Sequence, residues 1–158
     1  MIRRLLVFVA CGLTLSAAPA AAQASEEKAI IAVVDALFEG MRTKDTAAMR
    51  ALFVPEARMV GLSRDGATVT ANSIDGWITS IGRSAAGTEL RERTWAHEVR
   101  VDGAIAQAWM QYDFHIGERF SHCGVDAFDF VKVGDAWKIV QVMDTRRPSG
   151  CTPPPAGR

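Results

Sequence analysis

Several scarcities narrow the problem before any motif is sought. Cysteine occurs three times in 158 residues, which excludes a cysteine-dense disulfide scaffold and a multi-cysteine zinc site. Neither sign of charge prevails, with 18 basic residues against 18 acidic ones. Setting aside Arg3 and Arg4 leaves the remainder slightly acidic, so the electrostatic footprint of a nucleic-acid binder is missing. The most apolar stretch, Leu5 to Leu15, is too short to span the roughly 30 Å of a bilayer core. There is no phosphate-binding loop, dinucleotide fingerprint, Gly-x-Ser-x-Gly elbow or zinc-finger spacing. No internal repeat or second domain is visible.

What is present is an ordinary globular composition, 49% hydrophobic and 23% charged, enough for one domain. Residues 1–24 read as an export signal: Arg3 and Arg4 supply a positive start, Leu5 to Leu15 an apolar middle, and Ala20-Ala21-Ala22 or Ala22-Gln23-Ala24 a small-residue cleavage site. The expected product begins near Gln23 or Ser25, is periplasmic or secreted, and keeps no stable membrane anchor. Removing Cys11 leaves Cys123 and Cys151, which in an oxidising compartment are expected to form a disulfide; two separate thiols are the alternative. The bridge would pin the proline-rich tail, residues 148–158, to the domain over residues 25–147.

Hydrophobic periodicity orders the rest. Ser25 is positioned to cap a helix whose apolar stripe is Ile30, Val34, Leu37, Phe38 and Met41. A short helix starting at Asp45 or Thr46 buries Met49, Leu52 and Phe53 and must end before Pro55. Residues 57–70 suggest a hairpin turning at Asp65-Gly66. A third helix, capped by Ser73, carries Trp77, Ile78 and Ile81. From Thr88 to Arg147, turn signals at Asp102-Gly103, Gly117-Glu118 and Gly134-Asp135 divide the chain into a four-stranded meander.

Counting back from those turns sets Asp113 opposite His122, Gln111 opposite Gly124, Trp109 opposite Asp126, Phe128 opposite Gln141 and Asp126 opposite Met143. One face then carries Trp109, Gln111, Asp113, His122, Asp126, Phe128, Trp137 and Met143. The other carries Tyr112, Cys123 and Val142. A carboxylate directly across from an imidazole fixes its tautomer and raises its basicity, so Asp113 and His122 are the candidate catalytic pair; a plain structural tie is the alternative. Asp126 is either a second acid raised by apolar neighbours or a partner for Arg58 or Arg93. His115 is expected to be exposed and His97 structural. Arg91 with Arg93, and Arg146-Arg147, read as solvated strand ends. The spacing of Asp113, His122 and Asp126 argues against a metal site.

The three N-terminal helices, the Phe53-Val54-Pro55-Glu56-Ala57 break and the closing strand Ala136-Trp137-Lys138-Ile139-Val140 resemble the nuclear transport factor 2 superfamily. The likeness is nearest to its exported SnoaL-like or lumazine-binding bacterial members. This resemblance implies an α+β cone in which a curved, mainly antiparallel sheet wraps a helix and leaves a pocket at its open end. It also implies homodimers through the outer sheet face. Relatives include isomerases, dehydratases, cyclases and non-catalytic binding domains. The expected function is therefore binding of a small, partly aromatic organic ligand among Trp109, Gln111, Asp126, Phe128, Trp137 and Met143. The alternative is a lyase, isomerase or cyclase that uses no cofactor and relies on His122 with Asp113. The isomerase's acids and tyrosine find no match, because Tyr112 falls on the face opposite Asp113 and Asp126 in this register.

Overall fold

The computed structural model describes residues 18–62 and 68–155. The apolar middle of the expected export signal, its arginines and Cys11 lie outside the described residues, as does the expected Asp65-Gly66 turn. The elements run α1 (Ala18–Thr43), α2 (Thr46–Ala51), β1 (Phe53–Leu62), β2 (Val69–Ser73), α3 (Ile74–Gly82), β3 (Leu90–Asp102), β4 (Ile105–Ile116), β5 (Arg119–Val133) and β6 (Ala136–Asp144). One six-stranded sheet in the order β2-β1-β6-β5-β4-β3 is antiparallel except where β1 meets β6. It is the expected α+β cone.

Helix α1 begins seven residues before Ser25. The intervening run Ala18-Pro19-Ala20-Ala21-Ala22-Gln23-Ala24 is rich in the best helix former, and its proline falls in the first turn, where a missing N–H costs nothing. Ile30, Val34, Leu37 and Met41 are buried along one stripe against the concave face of the sheet. The Asp45 side chain caps α2 by accepting from the Ala48 N–H at 2.9 Å. Phe53 belongs to β1 rather than to α2, and Pro55 is accommodated because β1 bulges away from β6 between Phe53 and Arg58, leaving no ladder bond to lose. Trp137 and Ile139 pack inward, and Trp137 is 5% exposed.

Three bulges shape the meander, and they overturn the expected register. Ala96 and His97 together oppose one residue of β4, with Ala96 in the left-handed region at φ 52°. Ser121 is an extra residue on β5: His115 pairs Phe120 as counted, but Phe114, not Asp113, pairs His122. Val140 is an extra residue on β6, so Phe130 still pairs Ile139 while Phe128 pairs Val142 and Asp126 pairs Asp144. Beyond the Ser121 bulge, Gln111 pairs Val125, Tyr112 pairs Gly124 and Trp109 pairs Ala127. With a side-chain period of two, one inserted residue exchanges faces for everything beyond it.

Candidate functional site

The bulges bring Tyr112 and Phe114 of β4 onto the same concave face as His122, Asp126 and Phe128 of β5 and Val142 and Asp144 of β6. Glu92, paired with Phe114, joins them from β3. Together with Leu37, Phe38 and Met41 of α1, Trp77 and Ile81 of α3, and Arg146 just after β6, they enclose a cavity of about 230 Å³. Its floor and sides are aromatic and aliphatic. Its polar groups converge at one end.

Asp126 is 3% exposed. Burial raises its carboxyl to about 7, the nearby charge of Asp144 acts in the same direction, and a hydrogen bond with Glu92 and the charge of Arg146 oppose the rise. Burial, followed by the charge of Asp126 and the hydrogen bond to it, pushes Glu92 well above the ordinary carboxylate range. Each carboxyl thus holds its proton more tightly than a free acid, because both are buried beside one another. Arg146 Nε donates to Asp144 Oδ2, so Arg146 is a partner at the cavity rim rather than a solvated strand end. Asp126 Oδ2 has no hydrogen-bond partner among the described residues, and neither has Asp144 Oδ1.

Tyr112 donates its hydroxyl to the Thr145 carbonyl at 2.9 Å, and burial raises its phenol further above the ordinary value. That same carbonyl lies directly over Gly124, where any β-carbon would collide with it. Gly124 thus allows β6 to fold back over β5 and position both Asp144 and Arg146. The His122 ring lies edge-on to Tyr112, 5.7 Å between centroids, and 5.2 Å from Phe114, with Nδ1 3.0 Å from the Ser121 hydroxyl.

Of the residues expected at the site, Asp126, Phe128 and His122 line this cavity. Trp137 is buried beside it in the core, its indole N–H donating to Glu26 Oε2 at 2.7 Å. Trp109, Gln111 and Met143 lie on the convex face, Trp109 and Met143 being 50% and 41% exposed. Asp113 is also on that face, held by two hydrogen bonds from Arg93, one of them 2.8 Å from Nε. Burial opposes its ionisation, but Arg93 outweighs it and the carboxyl sits below its ordinary value. The expected pairing of Asp113 with His122 is therefore corrected. The partners of Asp126 are Glu92, Asp144 and Arg146 rather than Arg58 or Arg93. His115, expected to be exposed, is mostly buried 3.6 Å from Asp113. Tyr112 and Asp126, expected on opposite faces, share the cavity.

Glu92, Asp144, Tyr112 and Arg146 were not among the expected site residues. The signal that could have found them was Asp126: an acid inside the short apolar run Val125-Asp126-Ala127-Phe128 points to further polar groups at the same level of the neighbouring strands. Cys123 and Cys151 form a disulfide, with 6.1 Å between their α-carbons. Among the described residues no group of three His, Cys, Asp or Glu side chains converges as a metal site, and no helix is long and apolar enough to cross a membrane.

The architecture recurs in solved structures. An NTF2-like protein of unknown function from Shewanella baltica is 22% identical, with a TM-score of 0.63 over 80% of this chain and 97% of that one. An NTF2-like protein with a cystatin-like fold from Novosphingobium aromaticivorans is 14% identical, with a TM-score of 0.69 over 89% and 93%. A putative dehydratase of the NTF2-like family from Streptomyces avermitilis is 16% identical, with a TM-score of 0.62 over 80% and 99%. At such identities these similarities establish the fold alone. No curated protein sequence matches the chain. A sequence family described as putative lumazine-binding matches residues 25–143, three quarters of the chain and nearly all of the cone. The chain belongs to this putative lumazine-binding family.

Proposed function

We propose that this protein is an exported small-molecule-binding domain that takes a small aromatic ligand into the cavity between α1 and the concave sheet face. The supporting observation is the cavity itself: about 230 Å³, walled by Phe38, Trp77, Phe114 and Phe128, with unpartnered carboxyl oxygens of Asp126 and Asp144 at one end. Apolar walls with a few convergent polar groups are the usual composition of a ligand site, and the volume is below the roughly 300 Å³ at which drug-sized pockets begin. The occupant is thus one ring or a compact bicycle, a size compatible with the ligand in the family's description. The disulfide supports an oxidising, extracytoplasmic location. Trp109 and Met143, exposed on the convex face, are the proposed centre of a homodimer contact.

A thermal-shift screen of the chain from Ser25 onward against pterins and phenolics tests this reading. Ser80, exposed on α3 at the cavity wall, provides the control. A ligand that raises the melting temperature of the wild type but not of Ser80→Trp binds in the cavity; a ligand response unaffected by the block would place binding elsewhere.

A second reading, a lyase or isomerase without cofactor, is favoured by one observation: Asp126 held at about 7 next to Glu92 has the proton affinity that suits a general acid or base near neutrality. In this reading His122 works with Asp126 on the cavity face. Turnover with a bell-shaped pH profile that Asp126→Asn abolishes would support it.

A further inference from the structure

We propose that the cavity selects a protonated nitrogen base, an amidinium or aminoheterocycle cation one or two rings in size, bound between Asp126 and Asp144 with its ring against the aromatic walls. The inference rests on the ligand-binding reading above and adds to it the charge of the ligand.

Asp126 and Asp144 are direct cross-strand partners, a relationship that sets their β-carbons about 5 Å apart. Both turn into the cavity. Each keeps one buried oxygen without an N–H donor among the described residues, Oδ2 of Asp126 and Oδ1 of Asp144. A buried carboxylate oxygen left unbonded is costly, and two facing each other add mutual repulsion. A single planar group with two or more N–H donors and a positive charge answers all three deficits, because it donates to both oxygens and neutralises the repulsion.

The surrounding charges agree with this choice. Facing Asp126 are Glu92 from β3, Tyr112 from β4, His122 from β5 itself, Asp144 from β6 and Arg146 beyond it; α1 and α3 contribute only Leu37, Phe38, Met41, Trp77, Ser80 and Ile81. Three carboxyl groups thus meet one guanidinium, and that guanidinium is already engaged with Asp144 Oδ2. An anionic ligand would find no uncommitted cation in this wall, and its charge would stand against the acids. Phe38, Trp77 and Phe114 line the same cavity and supply aromatic rings for the delocalised charge of the proposed ligand.

The test compares three probes of one shape and different charge, benzamidine, benzamide and benzoate, by isothermal calorimetry at about pH 8, above the value to which burial raises Asp126. Benzamidine is expected to bind at least tenfold more tightly than benzamide, with benzoate weakest. Asp126→Asn and Asp144→Asn are each expected to bring the benzamidine-to-benzamide affinity ratio to within about threefold of unity, a margin below 1 kcal/mol. Two variants are used so that a folding failure in one leaves the other informative, and melts of both accompany the titrations. Equal binding of benzamidine and benzamide, blocked in both cases by Ser80→Trp, would overturn the charge preference and leave the cavity reading standing. Tighter binding of benzoate would overturn it as well. No binding of any probe at millimolar concentration would overturn both.

Discussion

Asp126 faces Asp144 across β5 and β6, and both carboxyls open into the cavity that α1 closes from above. The consequence for stability follows from the proton Asp126 retains. Its folded value of about 7 lies above the roughly 3.9 of an unfolded chain, so the folded state holds an extra proton in between. That contribution is fully present below pH ~3.9 and is lost as pH rises through about 7. Glu92 is raised too and acts in the same direction, whereas Glu26, Glu39 and Asp113 are lowered and lose their contributions only in more acidic solution. The melting temperature should be highest near pH 5 and fall by several degrees by about pH 8, a few degrees for each kcal/mol in a chain of this size. Asp126→Asn should flatten most of that slope and raise stability at the alkaline end; a variant as pH-dependent as the wild type would contradict the assignment.

Gly124 is expected to tolerate no side chain. A methyl group there would collide with the Thr145 carbonyl, which also accepts from the Tyr112 hydroxyl, in a residue whose own N–H donates to the Val125 carbonyl at 3.0 Å. Gly124→Ala should cost at least about 2 kcal/mol, the range of overpacking changes, and should disturb the cavity by moving Asp144 and Arg146. Chemical denaturation gives the first number. Loss of probe binding gives the second.

The sequence made the cone legible and the site only partly so, for one physical reason. Helix stripes such as Ile30-Val34-Leu37-Met41 and turns such as Gly117-Glu118 and Gly134-Asp135 are local, and both turn glycines do adopt the left-handed conformation, at φ 58° and 61°. Register is cumulative. Ser121 and Val140 carry no glycine or proline to mark them as bulges, yet each exchanges the faces of every residue that follows. Asp113 was therefore assigned to the cavity and Tyr112 to its outside, the reverse of the arrangement found. Phe128 and Trp137, expected on one face with Asp126, do share the concave side, because all three lie between the Ser121 bulge and the Gly134-Asp135 turn or beside that turn.

Glu26 ties α1 to the sheet through two donors, Trp137 Nε1 at 2.7 Å and Lys132 Nζ at 2.6 Å, with the lysine 5.3 Å above the indole ring. Trp137→Ala should cost about 3 to 5 kcal/mol as a large-to-small core change. Trp137→Phe keeps most of the volume but leaves Glu26 without its indole donor, so its cost should be clearly smaller. Equal losses for the two variants would show that packing contributes nothing beyond the hydrogen bond.

The Cys123–Cys151 bridge spans 28 positions and holds residues 149–154 against Trp95, Asp113 and Phe120 on the convex face. Its removal by Cys151→Ser should lower stability by about 3 to 4 kcal/mol in the chain-entropy model and expose Trp95 to quenchers. Thiol titration of the denatured, unreduced protein from Ser25 onward should find none free; two free thiols per chain would refute the bridge and weaken the argument for export.

Asp113 and His122, expected to act together, should now behave as opposites. Asp113 is bound by Arg93 on the convex face beneath the tethered tail, so Asp113→Ala should destabilise by about 1 to 3 kcal/mol, the cost of leaving a partly buried donor unpaired, with cavity binding unchanged. His122 lines the cavity and rests against Tyr112 and Phe114, so His122→Ala should weaken binding of a cavity ligand by tenfold or more while costing less stability than the Asp113 variant. The double variant should show both losses independently, because the two side chains are on opposite faces and have no shared partner among the interactions described for Asp113. Parallel melts and binding isotherms of the three proteins decide the matter. A coupling energy above about 0.5 kcal/mol in either measurement would restore the two residues to one site and with it the unbulged register.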